Sequence, residues 1–116
     1  MRATFAIVTL AALVSSAYAA GALRPSQAMA NQGQLVIIEG TADIQSDSSN
    51  AGVNVKLTGS DNSHLTAIIP VGAKNLFPAL DSYNGKTVDV TGVVDFESGG
   101  PTIRLTQPNQ IKLASP

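Results

Sequence analysis

The chain has no cysteine and no tryptophan, few other aromatic residues and little charge. Without cysteine no disulfide can form, so the folded part must stand on its hydrophobic core, unlike many small secreted domains. The same absence excludes a lipid-modified N-terminal cysteine. Seven Lys and Arg stand against eight Asp and Glu. That balance argues against tight nonspecific binding to nucleic acid, which needs a basic face to neutralise phosphates. There is no Asn-x-Ser/Thr sequon, no glycine-rich phosphate loop, no Ser/His/Asp set and no carboxylate pair in a credible pocket. The sequence therefore argues against an enzyme and implies no cofactor and no metal.

What is present begins with an address. Met1-Arg2 carries a positive charge, Ala3 to Val14 is an apolar run, and Ala17-Tyr18-Ala19 follows two serines. This order predicts a secretory signal peptide over 1–19, cut after Ala19; the run is too short to span a membrane. The competing reading is a buried N-terminal helix, which has no need of A-x-A at its end. No later stretch is apolar enough to cross a membrane. Removing 19 of 116 residues leaves 97, with six basic and eight acidic groups, enough for one small domain. A cysteine-free exported domain fits a bacterial periplasm better than an animal extracellular space, and the expected location is periplasmic or secreted.

Residues 20–34 (AGALRPSQAMANQGQ) show no clean period and contain a proline, which predicts a flexible leader. Strand signals fill 35–113. Leu35–Ile44 alternates, with Val36, Ile38, Gly40, Ala42 and Ile44 on one face; the glycine suggests a bend. Val53–Thr58 and His64–Pro70 are two further alternating runs around the polar turn Gly59–Ser63. Lys86–Phe96 is the longest, with Val88, Val90, Gly92, Val94 and Phe96 on one face. Thr102–Thr106 follows, and Asn109–Leu113 continues its direction. Between the third and fourth strands, Leu76, Phe77 and Leu80 predict a short helix or irregular segment facing inward, with Pro78 either in its first turn or breaking it.

Five strands with one apolar face must close or pack. The order β-β-β-helix-β-β, with glycines inside strands one and four, predicts an all-β, five-stranded Greek-key barrel plugged by the short helix. The closing segment, Gly85-Lys86 through Val90-Thr91-Gly92-Val93-Val94 to Pro101-Thr102-Ile103-Arg104-Leu105 and Gln110-Ile111, resembles the last strands of OB-fold domains of the nucleic-acid-binding superfamily. The resemblance covers 35–113. It implies a ligand on the outer face of strands two and three, here Asn54, Lys56, Thr58, His64 and Thr66.

The residues themselves qualify that implication. Single strands are gripped by stacked aromatics and a basic track, yet strands two and three contain no aromatic residue. After cleavage only Phe77, Tyr83 and Phe96 remain, and Phe77 and Phe96 fit core positions. His64 reads more readily as a surface strand residue than as a base. Asp43, Asp47 and Asp61 read as solvated turn acids more readily than as a cation site. Lys56, Lys86 and Arg104 read as scattered charge more readily than as a basic strip. Two function classes remain: a periplasmic or secreted binding module for an oligonucleotide, oligosaccharide or peptide, and a structural or accessory envelope protein acting through protein contacts.

Overall fold

In the computed structural model, residues 22–46, 52–97 and 99–114 are described. The expected signal peptide and its cut lie outside them. The alternating runs form six strands: β1 (Leu35–Ser46), β2 (Val53–Thr58), β3 (His64–Ile69), β4 (Thr87–Glu97), β5 (Gly100–Arg104) and β6 (Ile111–Leu113). The hydrogen-bonded order is β1-β2-β3-β5-β4, and β4 pairs back onto β1. This is a closed five-stranded mixed barrel, in which only the β3–β5 pairing is parallel. β6 lies outside the ring, paired to β4. The arrangement is compatible with an OB-fold-like barrel. Among the described residues no helix is long and apolar enough to cross a membrane.

Closure depends on β1 serving two partners. Residues 35–41 pair with β4 and residues 41–46 with β2. Gly40 sits at the changeover. A Cβ there would come within 3.2 Å of the Thr58 backbone N and O and 3.1 Å of the Leu57 Cβ. Gly92 plays the matching part on β4, opposite Val36; a Cβ there would run into the Ile103 methyl on β5. The inner faces then bury a continuous apolar core, in which Ile38, Val55, Leu57, Leu65, Ile69, Val88, Val90, Ile103 and Leu105 are enclosed. Burying each such side chain contributes about 1.5–3 kcal/mol before the entropy of ordering it is subtracted.

β5 and β6 share one edge of β4, and Gln110 fills the break between them. Its Nε2 donates to the carbonyls of Thr91 (2.9 Å) and Arg104 (3.1 Å), and its Oε1 accepts from the N–H groups of Thr106 (2.8 Å) and Gln107 (2.9 Å). One amide thus replaces the ladder bonds that the chain gives up there.

Three expectations are corrected. The leader is docked over its described part, residues 22–34. Its residues bond through backbone: Leu23 N–H donates to Ile37 O and Glu39 N–H to Leu23 O, both at 2.8 Å, on the edge of β1 that β2 leaves free. Gly33 N–H donates to Val94 O (2.7 Å) and Val94 N–H to Gln34 O (3.1 Å). Two 3-10 turns (Pro25–Gln27 and Met29–Asn31) bury Pro25 and Ala28 against the barrel. Second, Phe96 is 47% exposed, because it lies where the β4–β5 hairpin runs past the end of the barrel. Third, the short helix or irregular segment expected after β3 takes the form of two 3-10 turns, Val71–Leu76 and Leu80–Tyr83, and one of its three expected inward residues turns out. Phe77 and Leu80 face in, but Leu76 is 46% exposed. Pro70 before this segment and Pro78 within it restrict the backbone and remove N–H donors.

The docked leader is latched at Asp61. Ser63 Oγ donates to Asp61 Oδ1 (2.5 Å), Ser26 Oγ to Asp61 Oδ2 (2.7 Å), and Arg24 Nε lies 3.5 Å from Oδ2. Ser26 N–H also donates to Ser63 Oγ at 3.0 Å. The hydrogen bonds from Ser63, then that from Ser26, hold the Asp61 carboxyl well below the usual carboxylate range.

Two outcomes follow. Gly92→Val raises β-propensity, yet it should lower the unfolding free energy by about 1–3 kcal/mol, as overpacking does; a denaturant midpoint that is unchanged or raised would contradict the closure described above. For Asp61 the folded pKa is depressed, so its stabilisation is present above the unfolded value of about 3.9 and is lost as pH falls below it. Asp61→Asn should therefore melt below the parent at pH 7, with the gap narrowing below about pH 4. Melts across that pH range decide it, a constant gap being the adverse result.

Candidate functional site

The outer faces of β2, β3 and β5 form one surface. Asn54 pairs with Ile68, Lys56 with Thr66 and Thr58 with His64. The parallel register then sets Thr66 beside Thr102 and Ile68 beside Arg104. Within this surface runs a groove of about 540 Å³, lined by Asn54, Thr66, Ile68, Glu97, Pro101, Thr102 and Arg104 among others. Alternation produces it: Ile103 and Leu105 turn into the core, so Thr102 and Arg104 turn out.

Two features give the groove its chemistry. Arg104 Nη2 donates to Glu97 Oε2 at 3.1 Å, an ion pair with both side chains partly exposed. Glu97 pairs with Gly100, so this bridge spans the register level of Thr102. Such exposed pairs contribute about 0–1 kcal/mol, and a ligand can displace them. Thr102 itself is only 4% exposed, and its Oγ1 has no hydrogen-bond partner. A buried hydroxyl left unsatisfied costs about 1–3 kcal/mol.

The predicted site residues divide. Asn54 and Thr66 line the groove. Lys56, Thr58 and His64 occupy the same strands but do not line it; Thr58 Oγ1 and His64 Nδ1 lie 3.2 Å apart and satisfy one another. Ile68, Glu97, Thr102 and Arg104 line it without having been singled out as site residues. The signal for Thr102 and Arg104 was the alternation of β5, which acquires meaning only through the parallel pairing with β3. Among the described residues no aromatic lines the groove.

The other candidates are placed as follows. Lys86 precedes β4, where its carbonyl accepts from Ala42 N–H (2.9 Å); of Lys56, Lys86 and Arg104 only Arg104 lines the groove, so the three form no strip along it. Asp61 belongs to the latch, Asp43 accepts from Gln45 Nε2 (3.1 Å), and Asp47 lies outside the described residues. Among the described residues no group of three His, Cys, Asp or Glu is placed to hold a metal ion. A scan of protein-family models gives no match to the chain, and a sequence search of curated proteins gives none.

Thr102→Val tests the orphan hydroxyl. Valine keeps the shape and removes the unsatisfied group, so thermal stability should stay level or rise by up to about 1 kcal/mol. A fall of more than about 1 kcal/mol in a chemical melt would show that the hydroxyl has a partner in the free protein.

Proposed function

We propose that this chain is an OB-fold-like binding module, exported to the periplasm or secreted, that takes an oligosaccharide along the β2–β3–β5 groove. The observation that carries the reading is the unpartnered Thr102 hydroxyl in the groove, beside Asn54, Thr66 and the Arg104–Glu97 pair. Together these offer neutral donors and acceptors and a planar donor beside a planar acceptor, the chemistry that reads vicinal hydroxyls. Ile68 and Pro101 give apolar surface for the C–H face of a sugar ring. The export half of the reading rests on the N-terminal sequence alone.

Single-stranded nucleic acid fits the groove less well. It would need stacking worth about 1–3 kcal/mol per base from aromatics that the groove lacks. It would also set its phosphates against Glu97, with Arg104, the arginine among the described lining residues, already paired. An accessory envelope role through protein contacts has one supporting observation: Leu35 and Val93, registered neighbours on β1 and β4, are both exposed.

NMR titration of the full chain with an array of neutral oligosaccharides, beside oligo-dT, tests the reading. Saturable shifts at Asn54, Thr66, Thr102 and Arg104, weakened at least tenfold in Thr102→Val, are expected with one glycan class. Binding of oligo-dT with a steep salt dependence would replace it by the nucleic-acid reading. Silence from both, with self-association centred on Leu35 and Val93, would replace it by the accessory role.

A further inference from the structure

The plug of the barrel is thinner than the sequence predicts, and this leaves a second site. Turns of 3-10 helix longer than three or four residues are uncommon, yet Val71–Leu76 is six residues of it. Its Leu76 faces solvent instead of the barrel mouth. Beneath remains a pit of about 310 Å³, with Ile44, Val53, Ile69, Phe77 and Leu80 among its lining. The apolar lining is contributed by the ends of β1, β2 and β3 together with the two turns. At its rim stand Lys74, from the first turn, and Asp81, from the second. Neither side chain has an ion pair or hydrogen bond among the described residues, although the barrel carries two ion pairs elsewhere.

We propose that this pit binds a free α-amino acid with an apolar side chain. Its side chain enters between Ile44, Phe77 and Leu80, its carboxylate meets Lys74 and its ammonium meets Asp81. The volume is at the small end of ligand pockets, which span about 300–1,000 Å³. It accommodates one amino-acid side chain and is short for a long acyl chain. A rim with one group of each sign is complementary to a zwitterion; a fatty acid would satisfy Lys74 and leave Asp81 facing an apolar ligand or its carboxylate. The pit adjoins the β3–β5 groove and shares Val53 and Ile69 with it, but Ile44, Lys74, Phe77, Leu80 and Asp81 line the pit alone, so the proposal does not rest on the glycan reading.

Titration of the full chain with L-leucine, followed by methyl and amide NMR, tests it beside leucinamide, N-acetyl-leucine and octanoate. L-leucine should shift the methyls of Ile44 and Leu80, which line the pit and not the groove, together with those of Val53 and Ile69. Capping either end of the zwitterion should weaken binding at least tenfold. Lys74→Ala should cost L-leucine at least tenfold while leaving the rest of the spectrum in place. Asp81→Asn should weaken L-leucine and leave N-acetyl-leucine unaffected. The proposal is overturned by the absence of methyl shifts with L-leucine, by octanoate binding as tightly as L-leucine, or by an unchanged L-leucine affinity in Lys74→Ala.

Discussion

The barrel depends on β1 hydrogen-bonding two different strands along its length. A straight strand with a side chain at every inward position cannot leave one neighbour and join another without colliding at the crossover. Gly40 removes the Cβ at that point, and Gly92 removes it where β4 approaches Ile103. Once β4 pairs back onto β1, the five-stranded ring has no open edge along that seam, and the apolar faces of all five strands turn toward one interior. No disulfide backs this up. The two glycines are therefore part of what holds the core closed, and they do so by leaving room rather than by making contacts.

Closing the wall leaves two ends, and the chain treats them differently. At the end formed by the start of β1, the end of β2 and the start of β3, residues 22–34 fold over the opening. They take up free backbone groups of β1 and β4, and they press Pro25 close to Gly59, where any Cβ would lie 2.7 Å from the proline ring. The Asp61 carboxylate fixes this strap with two hydroxyl donors. Among the described residues, the opposite end receives two 3-10 turns, anchored by Ala73, Phe77 and Leu80. One end is sealed by backbone ladders and a polar latch, the other by three side chains over a pit.

The wall was legible in the sequence because a strand reports its faces through a period of two. Val36/Ile38/Ala42, Val53/Val55/Leu57 and Val88/Val90/Val94 all point inward as their alternation requires. The strap was not legible, since it binds through N–H and C=O groups that every residue carries, and its sequence needs no period to do so. Phe96 continues the alternation perfectly; only the length of the barrel, a tertiary property, leaves it outside. Leu76 fails for a local reason, as helical spacing does not hold in a segment that Pro70 and Pro78 bend into 3-10 turns. Half of the groove was visible as Asn54 and Thr66. The other half comes from β5 across a parallel pairing of strands more than thirty residues apart, which no local pattern encodes.

The groove is distinguished from the rest of the surface by what it leaves unsatisfied. Among the described residues, two buried side-chain oxygens lack a hydrogen-bond partner: Asp89 Oδ1 and Thr102 Oγ1. Asp89 lies in register with Lys112 on β6. Burial pushes its carboxyl up and the nearby ammonium draws it down, so part of the desolvation is offset within the fold. Thr102 has no such neighbour in register: it stands between Thr66 and Asp95, neither of which bonds to it. A neutral hydroxyl cannot relieve burial by changing its protonation, as a carboxyl can. The remaining relief is a partner from outside, and the ion pair spanning its level, Arg104 with Glu97, is of the weak and partly exposed kind that an incoming ligand can displace. A hydroxyl that the fold leaves unpaired, beside an ion pair that opens at little cost, can gain a hydrogen bond from water or from another molecule once that pair has moved aside.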